Sequence, residues 1–284
     1  MGWDEGVLVG LDFETTGVDP LSDRPVQLAI VWSEPGRLLS AEVSIVDPGR
    51  DIPEGAIAVH GITAERARRE GCSLAQAAHL VHSAMFRAVE EAVPVVAMNA
   101  SFDLTIAEEL FRANGLAPLA WRRVLDPLVL DRHLDRYRKG KRRLDALCEH
   151  YAVSLARAHD AGADAAAAIE LTRVIARHFP GCAATSPERL TELQSRWHAS
   201  WALGYDAWRR RQGLEGLDPD ELGWPLRPGM GRRQETRSKK TRSAGPASVT
   251  PLRRQAPKAT ASVAIPLAHA DSCPAGRNAE PFLW

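Results

Sequence analysis

Two acidic residues at the end of an apolar run are the first feature of the sequence that suggests chemistry. Asp12 lies near the end of the apolar run at residues 7–13, and Glu14 directly follows that run. Because side chains alternate along a β-strand, both carboxylates would lie on the same face of the sheet. A carboxylate on an otherwise apolar strand is costly unless a cation or hydrogen bonds compensate for it. The pair therefore predicts a metal site where the strand ends.

Two further elements place ionisable side chains at the start of predicted helices. Asp103 follows the apolar run at 93–98 after a short polar turn, a position that is also typical of a helix N-cap. His159 and Asp164 lie five residues apart around the start of an Ala-rich helix. Either element alone is compatible with ordinary capping. Their order along the chain favours one common site.

Together the three elements resemble the motifs of the DEDDh family of 3′–5′ exonucleases, which includes the proofreading epsilon subunit of bacterial DNA polymerase III. The motifs occur here as D-x-E, N-x-x-F-D and H-x-x-x-x-D, in that order. The resemblance covers residues 7–179 and includes V-H-G-I-T at 59–63 and L-D-A-L-C at 144–148. It implies an RNase H-like fold and the trimming of nucleic acid from its 3′ end.

The resemblance also implies a role for each motif residue. Asp12, Glu14, Asp103 and Asp164 would hold two divalent ions, Mg²⁺ or Mn²⁺, and His159 would be the general base. Hard cations prefer carboxylate oxygens, and two ions about 4 Å apart can stabilise both the attacking and the leaving oxygen of a phosphodiester. A histidine with its unperturbed pKa of about 6.5 can accept a proton from water near neutral pH.

Five neighbouring residues are expected to contact the substrate on the same basis. The resemblance places two of them near the terminal sugar, one under the last nucleotide and two beside the site; they are Thr15, Thr16, Phe102, Asn99 and His60. Asn99 could equally complete a turn, and a histidine in a loop such as His60 is often only polar surface.

Hydrophobic patterning predicts the elements that must position these residues. Three consecutive strands, a loop, a helical stretch capped internally by Ser73 and two later strands alternating with helices are expected. They lie at 7–13, 26–32, 38–46, 48–61, 63–91, 93–98, 103–114, 124–125 and 161–178. Strands first, then strands alternating with helices, predict an α/β fold: an RNase H-like mixed sheet flanked by helices.

The chain is expected to divide into three parts: an exonuclease domain at 1–180, an amphipathic helical extension at 181–224 and a disordered basic tail at 225–284. The helix of this extension begins at Ser186-Pro187, and its apolar face either packs on its own domain or binds a partner. That face consists of Leu190, Leu193, Trp197, Trp201, Tyr205 and Trp208.

Charge is distributed unevenly although the formal net charge is zero. From residue 226 onward, eleven Lys and Arg face three acids, so this tail is +8 and the remainder −8. The tail could bind nucleic acid, its final residues 281–284 (P-F-L-W) could dock on a partner, or it is simply an unstructured extension. The basic run at 136–143 either guides a nucleic-acid backbone or forms an ordinary solvated surface.

The leading hypothesis is a 3′–5′ exonuclease acting on single-stranded DNA ends in proofreading or repair. A polymerase or another replication or repair protein could bind through the C-terminal region. The motifs are equally compatible with an RNase of the family, oligoribonuclease-like or tRNA-trimming. A third alternative is a non-catalytic module that binds nucleic acid or docks on a polymerase.

Cysteine usage and hydropathy indicate a reduced, cytoplasmic protein. The four cysteines are scattered and form no C-x-x-C pair, so neither a disulfide framework nor structural zinc is expected. No secretory signal pattern is present, and no apolar run reaches the roughly 20 residues that a spanning helix needs.

Overall fold

The computed structural model describes residues 2–156 and 158–229. Six strands are present in this part of the chain: β1 (Leu8–Thr15), β2 (Pro25–Glu34), β3 (Arg37–Asp47), β4 (Cys72–Ser73), β5 (Val95–Val96) and β6 (Val124–Leu125). They form one sheet in the order β4-β3-β2-β1-β5-β6. β1, β2 and β3 pair antiparallel, whereas the other three pair parallel to their neighbours.

The same residues contain nine α-helices: α1 (Glu54–His60), α2 (Ala64–Glu70), α3 (Leu74–Glu90), α4 (Ala100–Ala113), α5 (Pro127–Leu134), α6 (Leu144–His150), α7 (Ala161–His178), α8 (Pro180–Ala183) and α9 (Pro187–Arg211). Short 3-10 helices cover Trp3–Glu5 and Pro219–Leu222. The predicted α/β fold, an RNase H-like mixed sheet flanked by helices, is confirmed. No helix among the described residues is long and apolar enough to cross a membrane.

Several predicted boundaries agree with the structure. Ser73 caps α3 through a capping box with Gln76, and Ser186 caps α9 by accepting from the Arg189 N–H. α7 covers 161–178, the range that the Ala-rich pattern predicted. These boundaries depend on local chemistry, because a cap side chain satisfies amides of its own first turn.

One local prediction was wrong and another lacked a strand. The segment at 48–61 was expected to be a loop, yet it contains α1, which is followed by Gly61 with φ +72°. The predicted helical stretch at 63–91, with Ser73 capping its second half, is two helices, and the short strand β4 between them was not predicted. The break falls at Gly71, where a Cβ would lie 2.5 Å from the backbone N of Asp47. Only glycine permits this close approach of the chain to β3, and pairing with β3 there overrides helix propensity.

The sheet has one apolar layer on each face. Val9, Leu11 and Phe13 of β1 belong to the cluster packed under α3 and α4, whereas Leu8 belongs to the cluster under α7. Gly10 shares the second face, and a Cβ there would lie 2.8 Å from the Ala165 carbonyl oxygen. The missing side chain therefore lets α7 lie directly on β1, next to the two acidic residues that follow.

Helix α9 covers the edge of the sheet with polar side chains. Thr191 Oγ1 accepts from the Val124 N–H at 2.8 Å, and the Gln194 amide donates to the Val124 carbonyl at 2.8 Å. These contacts satisfy the free side of β6 in place of a further strand. The first half of α9 is thus packed on its own domain, whereas Trp208 near its end is 44% exposed.

The segment after α9 returns to the main core. Trp224 is 6% exposed and packs in the same cluster as β1 and α4, while the Arg227 N–H donates to Thr105 Oγ1 at 3.0 Å. The predicted disorder at 225–284 and the suggested roles of its basic residues and of 281–284 fall, beyond residue 229, outside the described residues.

Candidate active site

The C-terminal half of β1 carries two carboxylates on the sheet face that α7 covers. Asp12 lies opposite Ala29 of β2, and Glu14 lies opposite Gln27. Both acidic side chains are partly buried. They follow Gly10 on alternate positions of the strand, so the close approach of α7 to β1 brings that helix's N-terminus beside them.

Asp103 reaches the same place from the other side of β1. The prediction that it could be an N-cap was wrong, because α4 begins earlier, at Ala100, and Asp103 lies in its first turn. Its carboxylate is 3% exposed and accepts from the Phe13 N–H at 3.1 Å. β5 ends at Val96, opposite Gly10. Beyond Gly10, β1 has no partner strand on this side, so the Phe13 N–H donates to the Asp103 side chain instead of to β5.

The N-terminus of α7 supplies the third motif. Asp160 caps the helix by accepting from the Ala163 N–H, and the Ala161 N–H donates to Gln27 Oε1 at 3.1 Å. Asp164 is 9% exposed and accepts from the His159 N–H at 3.0 Å. His159 has φ +65°, a left-handed conformation that this hydrogen bond helps to hold. Its side chain is exposed beside the acidic residues.

Burial and mutual repulsion raise the pKa of every carboxyl group in this cluster. For Asp12 burial is the larger cause, followed by the charges of Asp103, Asp164 and Glu14, and its pKa is well above the ordinary value. Burial also raises the pKa of Asp103, against the effect of its backbone hydrogen bonds. Burial and neighbouring acids raise Glu14 to a pKa of about 7 and Asp164 to about 6, with His159 opposing the shift of Asp164.

The donor set fits a divalent cation. Ligand atoms of Glu14, His159 and Asp164 lie within 4.8 Å of one another. Asp164 Oδ1 is buried and has no hydrogen-bond partner within the described ranges, 2–156 and 158–229. Among the residues that the structure describes, no Lys or Arg forms an ion pair with any of the four carboxylates. Buried anions without a countercharge are strongly unfavourable, so an added hard cation would complete the cluster.

The predicted substrate-contact residues have different environments. Thr15 donates to the Gly17 carbonyl, and the Thr16 hydroxyl both donates to Asp23 and accepts from the Arg24 N–H, so these hydroxyls hold their own loop. Phe102 packs partly buried against the core. Contact of these residues with substrate stays a prediction.

His60 and Asn99 also lie next to the cluster. The His60 Nδ1 accepts from the Ile62 N–H at 3.1 Å, and its Nε2 is buried with no side-chain or backbone partner at hydrogen-bond distance among the residues described. Burial lowers the pKa of His60, a polar interaction with the Thr15 backbone raises it, and the charge of His159 lowers it further. Asn99 has φ +65° and begins α4 without a side-chain cap.

Sequence reasoning missed the residues that position the motifs. Gln27 connects β2 to the first amide of α7, and a polar residue inside an apolar strand was the available signal. Asp126 accepts from the backbone N–H groups of Asn99 and Ala100 at 3.1 and 2.9 Å. It therefore fixes the start of the helix that bears Asp103. Its long-range contacts had no signal in the sequence.

The comparison with protein families identifies the chain. A model of the exonuclease family RNase T matches residues 9–172, more than half of the chain, and the chain belongs to this family. The predicted membership of a 3′–5′ exonuclease family is therefore confirmed.

Curated relatives agree with this assignment over the same region. A PolC-type DNA polymerase III from Lacticaseibacillus paracasei is 30% identical over 56% of this chain and 10% of its own length. A DNA polymerase III subunit epsilon-like protein from Rhodobacter capsulatus is 38% identical over 36% and 14%. Exodeoxyribonuclease I from Escherichia coli is 33% identical over 39% and 24%. The chain thus spans between a tenth and a quarter of these relatives.

Solved structures show the same similarity. E. coli exonuclease I in complex with a dT13 oligonucleotide is 25% identical, with a TM-score of 0.54 over 62% of this chain and 42% of that chain. A zinc-bound form of the exonuclease I complex with single-stranded DNA is 26% identical, with a TM-score of 0.55 over 63% and 42%.

Proposed function

We propose that this chain is a 3′–5′ exonuclease that hydrolyses the terminal phosphodiester of single-stranded DNA. The observation that supports it most is the grouping of Glu14, Asp164 and His159 within 4.8 Å, with the charges of Asp103 and Asp164 acting on buried Asp12. No ion pair from Lys or Arg to these carboxylates occurs among the described residues, and the chain belongs to the exonuclease family. DNA is favoured over RNA because similar proteins include DNA polymerase III chains and an exonuclease I bound to dT13.

In this proposal Asp12, Glu14, Asp103 and Asp164 hold two divalent ions, Mg²⁺ or Mn²⁺. When bound, the ions stabilise the charge that develops on the attacking and leaving oxygens of the phosphodiester. The buried Asp164 Oδ1 supports this assignment, because it is an acceptor for which the described part of the chain offers no donor. Without cations, the same four carboxylates would repel an anionic substrate.

His159 is the proposed general base. A nitrogen of its ring lies within 4.8 Å of carboxylate oxygens of Glu14 and Asp164, and its exposure gives water access to it. There it can accept the proton of the attacking water. His60 is a proposed substrate contact, because its ring lies beside the Thr15 backbone and His159.

The biological setting is proofreading or repair of DNA. Similarity to DNA polymerase III chains favours an exonuclease that acts together with a polymerase, which would bind in trans through the C-terminal region. Similarity to exodeoxyribonuclease I favours an exonuclease that acts without a polymerase. Rates on a mismatched primer end and on a free single strand, measured with and without a polymerase, separate these two settings. A short RNA in the same series tests the RNase alternative.

The decisive experiment follows mononucleotide release from a single strand labelled at its 3′ or 5′ end, with Mg²⁺ or Mn²⁺. Early loss of only the 3′ label is expected. Asp12→Asn should lower the rate by about 10³-fold or more, since metal stabilisation is worth several kcal/mol. Asp51→Asn, at a carboxylate 99% exposed, is the matched control. Equal inactivity of wild type and Asp12→Asn on every substrate would leave only a binding module.

A further inference from the structure

The basic run at 136–143 contains two structurally different kinds of residue. Arg138 and Arg142 turn inward to Asp131, a carboxylate with no exposed surface. Arg138 donates through Nε and Nη2 at 3.1 and 3.2 Å, Arg142 donates through Nη1, and the Tyr151 hydroxyl donates at 3.0 Å. These two arginines therefore share one buried carboxylate, which balances one of their two charges, and they serve to fold the loop.

The remaining residues of the loop point outward. Tyr137 is 87% exposed, the highest exposure recorded among large hydrophobic side chains in the described part of the chain. The Arg136 guanidinium lies 5.7 Å from its ring centroid. Lys139 and Lys141 are exposed, and neither lysine has an ion-pair partner among the described residues. A fixed loop thus presents one aromatic ring among three cationic side chains.

The C-terminal end of this loop lies beside the candidate active site. Arg143 donates from Nε to Asp145 Oδ1 at 3.2 Å, in the first turn of α6. The Arg143 hydrogen bond and, to a lesser extent, the charge of His159 lower the pKa of Asp145. α6 in turn packs on α7, the helix that bears Asp164. The cationic loop and the acidic cluster are therefore neighbours on one surface.

From this arrangement we infer that Arg136, Tyr137, Lys139 and Lys141 form a binding subsite for the single-stranded nucleic acid upstream of the scissile bond. The inference rests on the proposed function, and it assigns the strand path that the motif residues leave open. Proteins that bind single strands without sequence preference combine cationic side chains that follow the backbone with aromatic rings on which bases stack. The loop offers both, next to where a 3′ end would be cut.

The inward pairs explain why this loop can bind a strand at low cost. An exposed loop that orders only on binding would lose affinity through conformational entropy. Here Arg138 and Arg142 fix the backbone on buried Asp131 before any ligand arrives. A duplex would present stacked and paired bases, so a lone exposed tyrosine favours unpaired bases.

Binding is tested by fluorescence anisotropy with a 5′-labelled dT20 strand in Ca²⁺, a hard cation that also prefers carboxylate ligands, with a gel to verify that the strand stays intact. Tyr137→Ala should weaken binding about 5- to 150-fold, the range for loss of one base–aromatic stack. Tyr137→Phe keeps the ring and should stay within about twofold of wild type. A Lys139→Gln/Lys141→Gln pair should flatten the slope of log K against log salt by about 1.4, because each single-strand phosphate contact contributes about 0.7.

The matched charge control is the pair Arg37→Gln/Arg87→Gln. Arg37 lies at the β2–β3 turn, and Arg87 stacks on Trp32 at 4.4 Å. Both lie near the N-terminal end of β1, where Leu8 pairs with Ser33, and therefore far along the strand from Glu14 at its C-terminal end. This pair removes the same number of charges and should leave the salt slope within about 0.3 of wild type.

Turnover distinguishes failure of the inference from failure of the proposed function. For Tyr137→Ala, KM on dT20 should rise with kcat nearly constant, so the ratio of kcat/KM on dT20 to that on a dT dinucleotide should fall. If the loop variants bind and cleave dT20 like wild type, the subsite does not exist, although the exonuclease stands. If wild type binds dT20 through this loop yet never cleaves it, the proposed function fails alone.

Discussion

Two of the regions in which the protein buries acidic side chains compensate for the negative charge in opposite ways. In the candidate active site, Asp12, Glu14, Asp103 and Asp164 are close enough for their charges to raise the pKa of Asp12, and none of the four forms an ion pair with Lys or Arg among the described residues. At the base of the cationic loop, Asp131 is as deeply buried, yet two arginines and a tyrosine hydroxyl donate to it. The carboxylate of Asp131 therefore has cationic partners, whereas the four carboxylates of the candidate site have none among the described residues.

This difference separates a structural acid from an acid that awaits a ligand. Desolvation makes an uncompensated buried charge cost several kcal/mol, so the cluster lowers the stability of the metal-free fold. A protein keeps such a group where the missing partner comes from outside. The following experiments test that interpretation, in order of expected effect.

The largest effect is expected at the compensated site. Asp131→Asn should lower the free energy of unfolding by about 3–5 kcal/mol, because it leaves Arg138 and Arg142 without a countercharge. Urea unfolding measures the change. Asp51→Asn, with a 99% exposed carboxylate, should change the same quantity by less than about 0.5 kcal/mol. Equal effects of the two variants would mean that the buried pairs contribute no more than surface charge.

The uncompensated site should make the metal-free protein less stable as pH rises. The pKa of Glu14 is 4.5 ordinarily and about 7 in the fold, so the folded state holds a proton that the unfolded chain releases. Its contribution is present below pH 4.5 and is lost as pH rises through 7. Glu14 alone should cost about 2–3 kcal/mol between these limits.

Urea unfolding in EDTA at pH 5 and pH 8 measures this loss. Asp164, with a pKa raised to about 6, contributes a further loss of stability that is complete at a lower pH than the loss from Glu14. Glu14→Gln cannot titrate, so its loss of stability should be smaller than that of wild type by the Glu14 contribution. An identical loss in the variant would show that Glu14 is not under electrostatic strain.

Divalent metal should reverse this loss. At a concentration about 100 times its dissociation constant, Mg²⁺ should stabilise the protein by about 2.7 kcal/mol. The gain should be larger at pH 8 than at pH 5.5, because protons compete for the raised carboxyl groups. Thermal unfolding with and without Mg²⁺ provides the measurement. Asp103→Asn should abolish most of the gain, and an unaltered gain in that variant would place the bound metal elsewhere.

The smallest effect concerns a third buried acid, Asp126, which is held by neutral donors. Trp224 Nε1 donates to Asp126 Oδ2 at 3.1 Å. Trp224→Phe should cost about 1–2 kcal/mol, since a hydrogen bond to a charged group is lost. Trp208→Phe, at a side chain 44% exposed, is the control and should be nearly neutral. If both variants unfold alike, residues near 224 contribute little to the domain core.

Much of the chemistry was predictable from the sequence because it depends on local spacing. The alternation of β1 places Asp12 and Glu14 on one face, and the pattern of strands and helices predicted the α/β fold that the structure has. Ser73 and Ser186 mark helix starts because a cap bonds to amides three residues away. Such features involve only neighbours in the chain.

The tertiary structure decided whatever depends on contacts between distant segments. Asp103 could have been a simple cap until the start of α4 at Ala100 directed its carboxylate to the Phe13 N–H, 90 residues away. The need for glycine at position 10 follows only from the packing of α7 on β1, where the Ala165 carbonyl oxygen leaves no room for a Cβ. The run at 136–143 is uniformly basic as a sequence, and burial of Asp131 alone separates its structural arginines from its exposed cations. The sequence determines which charged residues are present, and the fold determines which of them form buried ion pairs.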